Sequence, residues 1–92
     1  METIYKYTIK SEVEVLQLPV FAEVLSVDIQ RGCLVLWAKV ETMNDLESRM
    51  FYVIATGQEV SYSNIKFIGT TQSDNGLVYH IFEQLGGPNE KS

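Results

Sequence analysis

Two short stretches of the chain combine glycine with hydroxyl and amide side chains: Thr56-Gly57-Gln58 and Gly69-Thr70-Thr71-Gln72. Backbone N–H groups exposed at glycine, with short polar side chains beside them, can hold a phosphate or the edge of a base. Arg49 is available to neutralise the charge of such a ligand through charge-assisted hydrogen bonds. Neither stretch has the spacing of a P-loop or of a dinucleotide fingerprint, and no strand-to-helix transition follows either one. Glycine ending a strand and threonine building one is the simpler account of both.

His80 is the one histidine, in the middle of an apolar alternation with Val78 and Phe82 on its own face. General-base work would need a nucleophile or an orienting carboxylate nearby, and the sequence places neither. Cys33 follows a turn and has Arg31 two positions away, which favours a thiolate modestly; a small apolar strand residue is the simpler account. One His and one Cys are too few donors for a metal site within a single chain. Trp37, beside Val35, has the chemistry of an interface anchor or a stacking platform. The binding candidates are therefore Trp37, Arg49, Thr56, Gly57, Gln58, Thr70, Gln72 and His80, with no catalytic residue, metal or cofactor expected.

These side chains must be carried by strands, because every strong periodicity in the chain is two and none is 3.6. Seven segments alternate: 3–9 (TIYKYTI), 12–18, 22–30, Cys33–Glu41, 49–56, Ile65–Gln72 and 77–83. In the second, the pattern changes phase between Val15 and Leu16, which predicts a bulge there, and Pro19 ends the strand or marks an edge. In the third, Leu25, Val27 and Ile29 oppose Ser26, Asp28 and Gln30. Gly32 predicts a tight hairpin with positive φ. The fourth points Leu34, Leu36, Ala38 and Val40 at a core and Cys33, Val35, Trp37 and Lys39 away from it. Ser73-Asp74-Asn75-Gly76 ends in the Asn-Gly hairpin signal. Residues 42–48 or 58–64 have room for one short helical turn.

The expected fold is all-β, a small antiparallel sandwich or barrel of six to seven short strands. Residues 1–85 are expected to form one β domain and 86–92 a flexible tail. The 92 residues carry a formal charge of −5, with the lysines scattered singly. That argues against generic DNA or RNA binding, which needs a positive stripe to displace counterions. A domain this small buries only about 60 to 65 per cent of its unfolded surface, so a homo-oligomer is expected, with the Val35 and Trp37 face as its contact. With one cysteine, no signal-peptide pattern and no membrane-length apolar run, the expected compartment is a reducing cytoplasm.

Ile4-Tyr5-Lys6-Tyr7, the run from Leu34 to Val40 (LVLWAKV), Arg49-Met50-Phe51, Ala55-Thr56-Gly57-Gln58, Phe67-Ile68-Gly69-Thr70 and the closing LVYHIFE from Leu77 to Glu83 resemble a family of small proteins of unknown function encoded by bacteriophages and bacterial genomes. Members have an IYKY-like start, an L-x-L-W-A strand and an H-x-F-E closing strand. This chain departs at one turn, with Ala55 and Gln58 where Gly and His are usual. The resemblance implies a phage- or prophage-encoded binder in a bacterial host cell, acting by occupancy on a host protein or a small anionic nucleotide signal, with counter-defence as one such role. The alternative is a structural protein of the virion or of its assembly. An enzyme is disfavoured.

Overall fold

The computed structural model describes residues 1–86 as seven antiparallel strands. These are β1 (Glu2–Ile9), β2 (Val13–Pro19), β3 (Glu23–Gln30), β4 (Cys33–Glu41), β5 (Leu46–Ala55), β6 (Ile65–Gln72) and β7 (Val78–Gln84). They form a three-stranded sheet in the order β1-β4-β3 and a four-stranded sheet in the order β2-β5-β7-β6. The all-β sandwich expected from the alternation is the fold observed. Among the described residues no helix is long and apolar enough to cross a membrane. The tail expected over 86–92 lies outside the described residues except for Gly86.

Alternation selects which side chains meet between the sheets. Leu36, Ala38 and Val40 from β4, with Ile9 from β1, face Phe51 from β5, Leu18 from β2 and Ile81 from β7, and all are almost fully withdrawn from solvent. A fully buried Leu, Ile or Phe contributes about 1.5 to 3 kcal/mol through its transfer from water, so this seam holds the layers together. The sheets approach most closely where β3 meets β6. A Cβ built on Gly69 would sit 2.9 Å from Cγ2 of Val27, and Thr71 donates to Asp28 at 3.2 Å across the same line. Glycine suits position 69 because a methyl of Val27, on a stiff β-branched side chain, occupies the space a Cβ would take.

Five local expectations are corrected. β2 pairs with β5 in unbroken register from Val13↔Tyr52 to Pro19↔Leu46, so there is no bulge at Val15 and Leu16. The register shifts fall instead between Val24 and Ser26 in β3 and between Phe67 and Gly69 in β6. The first of these turns Leu25 outward, so that Val24 and Val27 face the core in place of the expected Leu25 and Val27 pair. No helical turn forms at 42–48 or 58–64: a β-turn closed by Asn44 N–H to Glu41 C=O occupies the first, and β5 starts at Leu46 because edge strand β2 supplies partners that far. β7 begins at Val78, one residue later than expected, because the Leu77 carbonyl accepts from Ser73 N–H to close the loop.

The turns obey their chemistry. Arg31 and Gly32 both have positive φ (52° and 78°), the two-residue I′ hairpin that matches strand twist. Gly76, at φ 88°, takes the left-handed position that closes the β6–β7 loop.

Candidate functional site

The outer face of the four-stranded sheet gathers most of the residues singled out from the sequence. Ile54 of β5 lies opposite His80 of β7, which lies opposite Thr70 of β6. Two residues along, Gln72 lies opposite Val78, and Thr56 N–H continues the ladder to the Val78 carbonyl. The His80 ring is held on both sides, with Nε2 2.8 Å from the Thr56 hydroxyl and Nδ1 2.9 Å from the Thr70 hydroxyl. A neutral imidazole donates from one nitrogen and accepts at the other. Each ring nitrogen has a threonine hydroxyl as its partner, and the ring is held from strands on either side. Among the described residues its side-chain partners are these two hydroxyls and no carboxylate, so the arrangement positions a ring and two hydroxyls.

Gly57 and Gln58 belong to the adjoining turn. Gln58 N–H donates to the Ala55 carbonyl with Gly57 at φ 91°, and the Gln58 side-chain oxygen accepts back from Ala55 N–H at 2.9 Å. The turn is self-satisfied, and Gln58 is occupied in holding its shape. Gly69 to Gln72, read from the sequence as a glycine-hydroxyl cluster, lies inside β6, where alternation sends Thr70 and Gln72 outward and Thr71 toward β3.

Arg49 is not part of this face. It shares the inner side of β5 with Phe51, and its guanidinium makes a two-pronged contact with Glu83: Nε to Oε2 at 2.5 Å and Nη2 to Oε1 at 2.8 Å. Nη1 donates to the Ala22 carbonyl at 2.6 Å. The hydrogen bonds to Glu83 raise the Arg49 pKa further above its ordinary value, against an opposing push from burial. The guanidinium that was to neutralise a nucleotide is thus engaged between the sheets. Trp37 lies on the other sheet altogether, half-buried between Lys6 of β1 and Ser26 of β3. Its neighbour Val35 is buried, and on the face Val35 occupies the Lys6 ammonium reaches Gln30 at 3.2 Å, bridging the strands that flank β4.

Sequence reasoning missed the apolar part of the outer face. Val13 is opposite Tyr52, Tyr52 is opposite Phe82, and Phe82 is opposite Phe67, giving one continuous row across all four strands. Phe67 and Phe82 meet edge to face at 5.6 Å, while Phe67 keeps 54% of its surface exposed. Val15, also exposed, sits next to it opposite Met50. From the 58–64 loop Tyr62 stacks on Tyr52 at 3.8 Å and 16°. The Tyr52 hydroxyl donates to Gln84 at 2.6 Å, and Gln84 in turn donates to the Asn64 carbonyl at 3.1 Å. Burial, with Tyr62 beside it, raises the Tyr52 pKa. Alternation alone could have found Val13, Val15 and Phe67; nothing local to the loop points to Tyr62.

A cleft of about 810 Å³ opens at one end of the sandwich, with Ile9, Leu34, Val53 and Tyr79 among its lining residues. None of the candidates lines it. Among the described residues no three His, Cys, Asp or Glu side chains gather as metal ligands.

The chain matches a family model described as a domain of unknown function, DUF7352, over residues 1–91. No curated protein and no solved structure matches it.

Proposed function

We propose that this chain, which belongs to the DUF7352 family of domains of unknown function, is a non-enzymatic binding protein that receives a protein partner on the outer face of its four-stranded sheet. One observation carries the reading. Exposed Val13 and Phe67 end the row beside Thr56–His80–Thr70, with exposed Val15 one row further along, and the hydrogen bonds of the His80 row are already made. A face that is apolar and aromatic, with polar groups held in place, has the composition of an interface core and rim. It contacts a partner at little desolvation cost, because its ring nitrogens need no water.

A nucleotide is the weaker ligand for this face, since Arg49 is bonded to Glu83 and Ala22 on the opposite side of the sheet. The likeness to phage-encoded proteins supports a host protein as the partner, with inhibition of a host defence or regulatory factor as the role. Action by occupancy fits a His80 ring whose side-chain partners, among the described residues, are two threonine hydroxyls and no carboxylate.

The test is affinity capture from bacterial lysate with the unmodified chain and with Phe67→Glu, beside calorimetric titration with mono-, di- and cyclic nucleotides. A stoichiometric protein retained by the first and lost by the second is expected, with no heat from nucleotides. Equal capture by both chains, or saturable nucleotide binding, overturns it.

A further inference from the structure

A second surface, at the β2–β3 and β4–β5 connections, stands out on strain and exposure. The β2–β3 connection is a four-residue turn closed by Ala22 N–H to the Pro19 carbonyl at 3.0 Å, with Phe21 in its third position at φ 68°. Such a turn wants glycine or asparagine there, because a Cβ in the left-handed region crowds the following carbonyl. A phenylalanine at this position is a backbone outlier, and it is not offset by packing, since Phe21 is 91% exposed.

The turn is nonetheless clamped from the β4–β5 connection. Val20 N–H donates to the Asp45 carbonyl at 2.8 Å, and the Asn44 side-chain amide donates to the Val20 carbonyl at 2.8 Å. Thr42 N–H ties the same connection to the Met1 carbonyl. The stitched tip carries three more exposed apolar side chains, Met1, Met43 (83% exposed) and Leu46. Strain that persists at an exposed, rigidly held aromatic points to a function outside the fold.

Charge specifies the partner. By strand register this end also carries Glu2, Glu23, Lys39, Glu41 and Glu47, with Asp45 in the connection. Lys39 is paired with Glu23 and the Met1 amino group with Glu41. That leaves Glu2, Asp45 and Glu47 without an ion pair among the described residues. An acidic ring around an apolar tip repels an anionic bilayer and a second copy of itself.

We propose that the Phe21 tip is a protein-docking anchor that inserts into an apolar pocket rimmed by lysine or arginine. Phe21 supplies the buried aromatic, Met43 and Leu46 the apolar shoulder, and Asp45 and Glu47 the charge that orients the encounter. The proposal does not rest on the aromatic row of the sheet face; of these residues only Leu46 shares that face, at the end of β5 opposite Pro19.

The experiment uses the full chain and defined probes. Fluorescence anisotropy is measured with an amphipathic helical peptide of leucines flanked by lysines and with its glutamate-flanked analogue. Alongside run co-sedimentation with phosphatidylcholine and phosphatidylglycerol vesicles, and light scattering for self-association. The lysine peptide should bind saturably, more weakly as salt rises, and about thirtyfold more weakly to Phe21→Gly, the loss expected of a hot-spot aromatic. Phe21→Gly and Phe21→Asn should melt at or above the unmodified chain, because both residues accept the left-handed position. Asp45→Asn with Glu47→Gln should reduce the salt dependence. Absence of binding, equal binding by Phe21→Gly or by the glutamate peptide, association with vesicles or with itself through Phe21, or a lower melting temperature in both position-21 variants would overturn the proposal.

Discussion

Arg49 and His80 stand on opposite faces of the same sheet, and they use their hydrogen-bonding capacity in opposite environments. Arg49 is between the layers: its side chain and that of Glu83 keep only 17% and 13% of their surface, and three contacts engage the guanidinium. His80 is on the outside, held by two hydroxyls that solvent could replace. A charge withdrawn from water is stable only while its counter-charge remains, so the first cluster is a structural commitment. The second can be altered or covered without threatening the fold, which is what a binding face requires.

The largest effect should come from breaking the inner pair on one side only. Arg49→Ala leaves the Glu83 carboxylate half of a shielded pair, and chemical denaturation should record a loss of about 3 kcal/mol, the low end for orphaning a buried charge. A loss near zero would erase the contrast with His80. Removing both charges together sharpens it: Arg49→Met with Glu83→Leu should recover stability to within about 1 kcal/mol of the unmodified chain, since an apolar pair of similar volume often replaces an ion pair without net cost.

On the outer face, His80→Ala should cost about 1 kcal/mol or less, the net worth of a solvent-accessible hydrogen bond. A cost exceeding that of Arg49→Ala would mean that the row, too, is a structural keystone. The smallest effect is a pH dependence in which both sides of the sandwich take part. Burial, with Tyr5 beside it, raises the pKa of Tyr7, as burial with Tyr62 does for Tyr52. The folded protein therefore holds these phenolic protons more tightly than the unfolded chain. Their contribution is complete below the ordinary tyrosine value of 10.0 and is lost as pH rises through the raised values. Melting temperature should fall on the alkaline side of that point, and Tyr52→Phe, on the outer face, should blunt the fall less than Tyr7→Phe if burial between the sheets dominates.

The strands, the hairpin ladder and the core face of β4 were legible in the sequence because each rests on local rules. Side chains alternate across a pleat, and Gly32 and Gly76 supply the positive φ that their turns need. Thr56, Thr70 and His80 were each picked out by residue type, yet their meeting was not, since it depends on which strands pair and in what register. Bulges were mislocated for a related reason. At Val15 and Leu16 two alternations of apolar residues suggest a phase change, whereas β5 offers unbroken partners; at Val24 to Ser26 the local pattern is regular and the shift comes from pairing with β4.

The amino-acid order by itself determined the fold class, the number of strands to within one and the chemistry of the two glycine hairpins, because these follow from interactions within a few residues or across one hairpin. The tertiary structure alone decided that Arg49 belongs to Glu83, that Tyr62 lies on Tyr52, that Gly69 makes room for Val27, and that a strained Phe21 projects from a clamped tip. Each of those contacts joins residues distant in the chain, and pairing energies of strands far apart in sequence cannot be summed from local patterns.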